Sequence, residues 1–200
     1  MKTGIKIGIF LLLLISGFMF SSLQTPSKCG KWRWDIKTLT DKHGSALLFK
    51  GPLPSSIDEL VKEPSPKILH HDSRIDSKLP RFPDENQVVE IIAYVIKVKY
   101  EKDDHDLHFV LKSTTSGNTM IGEIPDPNCP TFDEFPVWRE ILKKTRKNGN
   151  KIWDELKEHS GAVKVKITGV PFWDSEHNNR PTGSSRYFRE IHPILTIVPL

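Results

Sequence analysis

Five segments of the chain alternate apolar and polar residues in the way that is typical of half-buried β-strands. β-Branched and aromatic residues, which favour strands, are frequent in them. Residues 135–159 have a helical period that Asn148-Gly149-Asn150 interrupts, so we expect one interrupted helix or two short ones there. The five strand segments are 88–100 (VVEIIAYVIKVKY), 106–113 (DLHFVLKS), 118–124 (NTMIGEI), 161–173 (GAVKVKITGVPFW) and 190–198 (EIHPILTIV).

The order of these elements, β-β-β-α-β-β, predicts the fold. Three strands in a meander, a helix and two further strands form the order of the OB-fold, a five-stranded barrel that is mainly β with one helical segment. A split α+β sheet is the alternative arrangement of the same elements. The sequence contains no phosphate-binding glycine loop, paired-cysteine zinc motif or Gly-x-Ser-x-Gly elbow. The pattern therefore predicts a fold without indicating a known reaction.

The start of the chain has the pattern of a secretory signal. Residues 1–22 contain two lysines, an apolar run and then small polar residues. This pattern predicts export to the periplasm or the medium, with no transmembrane span left in the mature chain. An uncleaved N-terminal anchor is the alternative. Residues 23–200 carry a net charge of only +2, because two of the 29 basic residues and none of the 25 acidic ones lie in the first 22. A protein that makes many phosphate contacts usually has a larger basic excess.

Residues 23–86 are predicted to form an extension that wraps around a barrel domain of residues 87–200, which we expect to be monomeric. Within the extension, residues 31–41 (KWRWDIKTLTD) indicate a short strand or extended arm, and Ser56 with Glu59 forms a capping-box pattern for one short helix. Because the chain is predicted to be exported and holds two cysteines, Cys29 and Cys129, we favour a disulfide over two free thiols.

Acidic and histidine side chains occur together near the connections that flank the ligand-binding face of an OB barrel. Carboxylate and imidazole groups together suit a divalent metal such as zinc, manganese, iron or calcium, or a histidine general base. The alternative for each residue is a turn-forming acid or a packed, hydrogen-bonded histidine. Glu123 most simply ends the third strand, with a role as an added ligand as the alternative. The candidate metal ligands are Asp106, His108, Asp174, His177, Glu190 and His192.

The loop before the fifth strand also has residues suited to ligand binding of another kind. Aromatic rings can stack on bases or sugars, and arginines can bind phosphates or carboxylates, so nucleic acid and oligosaccharide are candidate partners. Ordinary anchoring of the loop by its aromatic residues is the alternative. The candidate residues are Trp173, Arg180, Arg186, Tyr187 and Phe188.

Five segments of the chain, taken in order, are IKTLTD, DDHDLHFVL, TMIGEIPDPNC, VKITGVPFWDSEH and EIHPILTI. On these segments the chain resembles a group of uncharacterised exported bacterial proteins, and this resemblance implies a secreted OB-like domain without implying an activity. Members similar to this chain often have a glycine-rich stretch after an Asp-x-x-His motif and an asparagine before Glu-x-His-Pro. Here the corresponding stretch, NNRPTGSSRYFR (178–189), is more basic and more aromatic.

Three functions fit these observations. The first is an exported binding module that holds an extended polymer or a small anionic ligand between the loops after strands one and four. The second is a metal-dependent hydrolase, nuclease-like and acting on phosphodiesters, with the acid and histidine pairs as its metal ligands. The third is a structural envelope protein whose polar residues only stabilise their own loops. The sequence leaves open whether the protein is an enzyme.

Overall fold

A computed structural model of the chain describes residues 29–30, 32–69, 79–159, 161–175 and 182–200. The predicted signal, residues 1–22, lies outside these ranges. The strands are β1 (Leu53–Pro54), β2 (Val89–Tyr100), β3 (Leu107–Ser113), β4 (Thr119–Ile124), β5 (Val163–Trp173) and β6 (Arg189–Pro199). The α-helices are α1 (Trp34–Lys37), α2 (Gly44–Leu47), α3 (Ile57–Leu60) and α4 (Pro136–Glu158), with 3-10 turns at Lys67–Leu69, Pro83–Glu85 and Pro130–Phe132.

Strands β2 to β6 close into a five-stranded barrel. Their order is β2-β3-β4-β6-β5, and β5 pairs back with β2. All neighbours are antiparallel except β4 and β6, which run parallel, with Ile121 opposite Glu190 and Gly122 opposite Ile191. The predicted fold class, a mainly β chain with an OB-like barrel, one helical segment and an N-terminal extension, is therefore confirmed.

The barrel interior is filled by apolar side chains from every strand, and α4 packs against it. Among the fully buried residues are Ala93, Phe109, Met120, Ile167 and Ile194. The helix adds three buried apolar side chains, Trp138, Leu142 and Ile152. None of the helices in the described part of the chain is long and apolar enough to cross a membrane.

Helix α4 runs without a break through Asn148-Gly149-Asn150, so the predicted interruption is wrong. Gly149 is buried and faces the barrel, where a Cβ atom would lie 2.8 Å from Cζ of Phe109 and 3.0 Å from Cδ1 of Ile124. The glycine is therefore present because the helix approaches the strands closely, and it does not end the helix.

The extension contains a helix where an extended arm is predicted, at residues 34–37, so that prediction is also wrong. Its tertiary contacts account for the difference, since Trp34 Nε1 donates to Thr131 Oγ1 at 3.0 Å and Trp138 Nε1 donates to the Thr38 carbonyl at 2.5 Å. The predicted helix at Ser56 is confirmed as α3, and the Ser56 hydroxyl accepts from the backbone N–H of Glu59.

The disulfide predicted between Cys29 and Cys129 is present. It links the first described residues of the extension to the segment between β4 and α4. Because the two cysteines are 100 residues apart in sequence, the bond restricts a long loop in the unfolded chain.

We predict that Gly149→Ala destabilises the protein by about 1 kcal/mol, although alanine is the better helix former. The added methyl group would contact the ring of Phe109. Because Phe109 lies in β3 and is fully buried, its ring can move little to make space for the methyl group. Thermal and denaturant unfolding measure the effect. Asn150→Ala, at an exposed neighbouring position of the same helix, is the control and should be neutral or slightly stabilising. Equal stabilisation by both changes would contradict the packing argument.

Candidate metal centre

Strand register places a set of polar side chains on one outer face of the barrel. His108 in β3 lies opposite Glu123 in β4, and Ile121 in β4 lies opposite Glu190 in β6. Side chains alternate along a strand, so His108, Glu123, Glu190 and His192 all point away from the barrel interior on the same side. This is the side of the second and third barrel strands that OB-folds use to bind ligands.

The turn before β3 places Asp106 beside this face. The Asp106 N–H donates to Asp104 Oδ1 at 3.2 Å, and the Asp106 carbonyl accepts from the N–H of Glu101 at 2.9 Å. His105 takes a left-handed φ of 66°, and its carbonyl accepts from Arg146 of α4 at 2.7 Å. These bonds fix the turn, so that the position of Asp106 is set before any ligand is present.

Asp106, Glu123 and His192 converge on one point. His192 Nε2 lies 3.2 Å from Asp106 Oδ2, and His192 Nδ1 lies 3.0 Å from Glu123 Oε2. Each of the three residues offers one ligand atom, and these atoms lie within 4.8 Å of one another. All three side chains are buried, with Asp106 and His192 at 0 % exposure. The spacing and atom types fit a site for a single metal ion, and they equally allow a protonated His192 to pair with both carboxylates.

Several of these buried atoms lack a hydrogen-bond partner within the described ranges. They include both carboxylate oxygens of Asp106 and both ring nitrogens of His192, which approach the carboxylates without meeting hydrogen-bond geometry. Glu190 Oε2 and His108 Nε2 also lack a hydrogen-bond partner among the described residues. An unpaired buried polar atom costs free energy, and native proteins contain few of them. A bound cation could be coordinated by a carboxylate oxygen of Asp106, by one of Glu123 and by one of the two ring nitrogens of His192.

His108 supports the triad from β3. Its Nδ1 donates to Glu123 Oε1 at 2.7 Å and also lies 3.4 Å from Glu101 Oε1. This bond orients the Glu123 carboxylate and leaves Oε2 facing His192. Side chains that hold a metal ligand in this way commonly raise the affinity of the site.

Lys37 and Asp174 lie at the edge of the same cluster. Lys37 projects from α1, and its Nζ is 3.5 Å from Asp174 Oδ1 and 5.3 Å from the centre of the Phe172 ring. Asp174 follows β5 and is 8 % exposed. The extension therefore contributes a cation to a cluster whose other members come from the barrel.

Burial, and after it the contacts and charges within the cluster, shift several pKa values. Burial raises the pKa of Asp106 to about 6, against the opposing effect of His192. Burial also raises the pKa of Glu190 well above its usual value, and the charges of Asp174 and Glu123 add to the effect. For His192 burial would lower the pKa, but Asp106 and Glu123 raise it to about 9.

Glu123 differs from the other two carboxylates. Burial would raise its pKa, but its contacts with His108 and His192 hold the pKa well below the usual value. Glu123 therefore stays ionised, as a metal ligand must be.

The structure brings together residues from different predicted pairs. Asp106 and His192 meet in the triad, His108 and Glu190 share its face, and Asp174 pairs with Lys37. His177 lies outside the described residues. The sequence pattern predicts for Glu123 mainly the role of ending a strand, and it does not single out Lys37. Glu123 could have been predicted as a member of the site from its position opposite His108 in the hairpin, but that position follows only from the strand register.

The candidate ligand-binding residues of the loop fall into two groups. Trp173 and Phe188 are buried, and Trp173 Nε1 donates to Asp84 Oδ2 at 2.7 Å. Arg186 is exposed and its guanidinium lies 5.2 Å from the centre of the half-buried Tyr187 ring. Arg180 lies outside the described residues. In this structure Arg186 and Tyr187 face solvent at least in part, whereas the other two rings pack into the protein.

Comparison with known proteins adds little to this picture. No family model matches the sequence, and no curated protein matches it. A solved structure described as OBody AM2EP06 bound to hen egg-white lysozyme is 13 % identical, with a TM-score of 0.32 over 56 % of this chain and 79 % of that chain. A second, OBody AM3L09 bound to hen egg-white lysozyme, is 16 % identical, with a TM-score of 0.32 over 57 % and 81 %. At these values neither structure indicates a function for this chain.

We predict that the metal-free protein loses stability as the pH rises from about 5 to about 9. The folded-state pKa values of Asp106, about 6, and His192, about 9, exceed their ordinary values of 3.8 and 6.5. The folded state therefore binds more protons than the unfolded state, and the stability from His192, present below pH 6.5, is lost as the pH rises through about 9.

Melting temperatures in excess chelator measure this dependence. His192→Gln should flatten it, whereas His159→Gln, at an exposed position, should preserve it. A wild-type melting temperature that rises over this pH range would contradict the assignment of charges in the cluster.

Proposed function

We propose that the protein is an exported, metal-dependent hydrolase that binds one divalent ion at Asp106, Glu123 and His192. The observation that supports this proposal is the buried triad, whose three ligand atoms lie within 4.8 Å of one another. Among the described residues, Asp106 and His192 meet at ion-pair distance without good hydrogen-bond geometry. The triad lies on the face where OB barrels bind ligands.

The donor set favours particular ions. Two carboxylates and one imidazole suit zinc or manganese, whereas calcium is normally bound by oxygen atoms alone. Three protein ligands leave coordination positions for water and substrate, which is typical of catalytic sites. A divalent ion in such a position lowers the pKa of bound water and supplies a nucleophile near neutral pH.

The remaining polar residues take supporting roles in this proposal. His108 holds Glu123 in place through its 2.7 Å hydrogen bond. Glu190 lies on the same face with Oε2 unpaired by any described residue, and we assign it to proton exchange with water or the leaving group. Export is supported by the signal pattern of residues 1–22 and by the disulfide, since disulfides persist in oxidising compartments.

We predict that the mature protein binds close to one equivalent of Zn²⁺ or Mn²⁺, and that His192→Ala weakens binding by at least about tenfold because it removes a ligand. Calorimetry and elemental analysis of oxidised protein purified without chelator measure both quantities. His159→Ala, which removes an exposed histidine, should bind like the wild type. Wild-type protein that takes up neither ion would refute the metal site, and metal uptake without hydrolysis of any ester tested would refute the enzymatic role.

A binding module for anionic ligands is the second candidate function. Arg186 is exposed beside the Tyr187 ring, so that a planar group and an anion could be bound together at the loop before β6. This surface is separate in its chemistry from the acidic cluster and needs no metal ion.

We predict for this candidate that Arg186→Ala combined with Tyr187→Ala weakens binding of a single-stranded oligonucleotide by at least about tenfold while the melting temperature changes little. Fluorescence anisotropy in chelator measures the affinity without any contribution from a metal ion. Lys164→Ala combined with Lys112→Ala, at exposed barrel positions, is the matched control. Oligonucleotide binding that survives the double change at the loop would exclude this surface.

A further inference from the structure

The segment of the extension that carries Lys37 is tightly fixed to the barrel. Arg33 is fully buried and forms two hydrogen bonds to Glu85, at 2.9 and 2.5 Å. Trp34 and Thr38 bond to residues that precede and begin α4, and the disulfide at Cys29 secures the start of the segment. Lys37 therefore has a defined position and is not a surface lysine that happens to reach the cluster.

The surroundings of the Lys37 ammonium group are acidic. Burial would lower its pKa, but the charges of Asp174, Glu123, Glu190 and Asp104 raise the pKa above its ordinary value. Its side chain is 11 % exposed. The Lys37 ammonium group lies 5.3 Å from the centre of the Phe172 ring, and the ring of the proposed ligand His192 lies 5.8 Å from the same centre. Lys37 is therefore near enough to the proposed metal site to repel an ion bound there.

The acidic groups of the cluster outnumber the basic ones, and this favours the binding of a further cation. Five carboxyl groups of the described residues lie in this cluster with three basic side chains, Lys37, His108 and His192; the five are Asp104, Asp106, Glu123, Asp174 and Glu190. Such an excess of negative charge in a buried site is stabilised by cations, and each cation present weakens the attraction for the next.

We infer that Lys37 is a resident counter-cation, which competes with the divalent ion for the carboxylates and thereby sets the metal affinity of the site. This inference rests on the proposed metal-binding function. It assigns to the extension a regulatory role at a site whose ligands all come from the barrel. In the metal-free protein Lys37 stabilises the carboxylates, and in the metal-bound protein its repulsion of the ion lowers the affinity.

The test compares Mn²⁺ affinities at constant pH and low ionic strength, by competition with a fluorescent chelator. Lys37→Met keeps the length of the side chain and removes the charge, so it should bind Mn²⁺ at least about tenfold more tightly than the wild type. Lys37→Arg retains the charge and should remain within about threefold of the wild type. Lys42→Met, at an exposed position of the same extension, is the control for net charge and should also remain unchanged.

The outcomes separate this inference from the proposed function. If the wild type binds Mn²⁺ and Lys37→Met binds it equally or less tightly, the inference is wrong and the metal site stands. If neither protein binds the ion, the metal site is refuted and the inference with it. Should Lys37→Met be unfolded in chelator, addition of Mn²⁺ must restore its fold, because the ion would replace the missing charge. Failure of that rescue would overturn the inference.

Discussion

The parallel pairing of β4 with β6 is the constraint on which the rest of the structure depends. It closes the barrel, and its register places Ile121 opposite Glu190. Since side chains alternate, the same pairing sets Glu123 and His192 on one face, where their nearest atoms are 3.0 Å apart. A shift of one residue would turn either His192 or Glu123 into the apolar interior, so the register that packs the core also assembles the polar site.

Ionisable groups on the outer wall of a barrel would ordinarily be solvated, and here the extension changes that. Arg33 of the extension forms an ion pair with Glu85, and its guanidinium carbon lies 4.8 and 4.9 Å from the ring centres of Phe82 and Phe172. The extension thus packs on Phe172, whose ring also contacts His192 of the cluster. The buried ion pair contributes little net stability in itself, but it fixes the path of the segment on which Lys37 lies. Burial of the cluster is thus a property of the extension as much as of the barrel.

The sequence predicts the fold well because strand alternation and helical periodicity report which face of each element is buried. Alternation also predicts that Asp106 and His108, and Glu190 and His192, share faces. Local periodicity does not predict the role of a residue that depends on its tertiary neighbours. Gly149 has the sequence context of a helix break, but the approach of α4 to Phe109 explains it.

The site could be predicted only in part for the same physical reason. Which acid meets which histidine depends on register across strands that are distant in sequence, so that Asp106 contacts His192 and His108 contacts Glu123. Lys37 enters the cluster from a helix of four residues, whose conformation depends on contacts with the barrel and with α4. Local sequence patterns carry no information about either contact.

The chemistry of the cluster favours a cation over a polymer as its direct ligand. A platform for bases or sugars needs exposed aromatic rings, but Trp173 packs beneath Arg189, 4.1 Å from the ring centre, and Phe188 is buried. A phosphodiester would in addition be repelled by Glu123 and Asp174, which outnumber the nearby lysine. A divalent ion at the proposed site would remove this conflict, because it would neutralise the carboxylates and present positive charge to an anionic substrate. If the site acts on phosphate esters, the metal ion is therefore required for substrate binding as well as for activation of water.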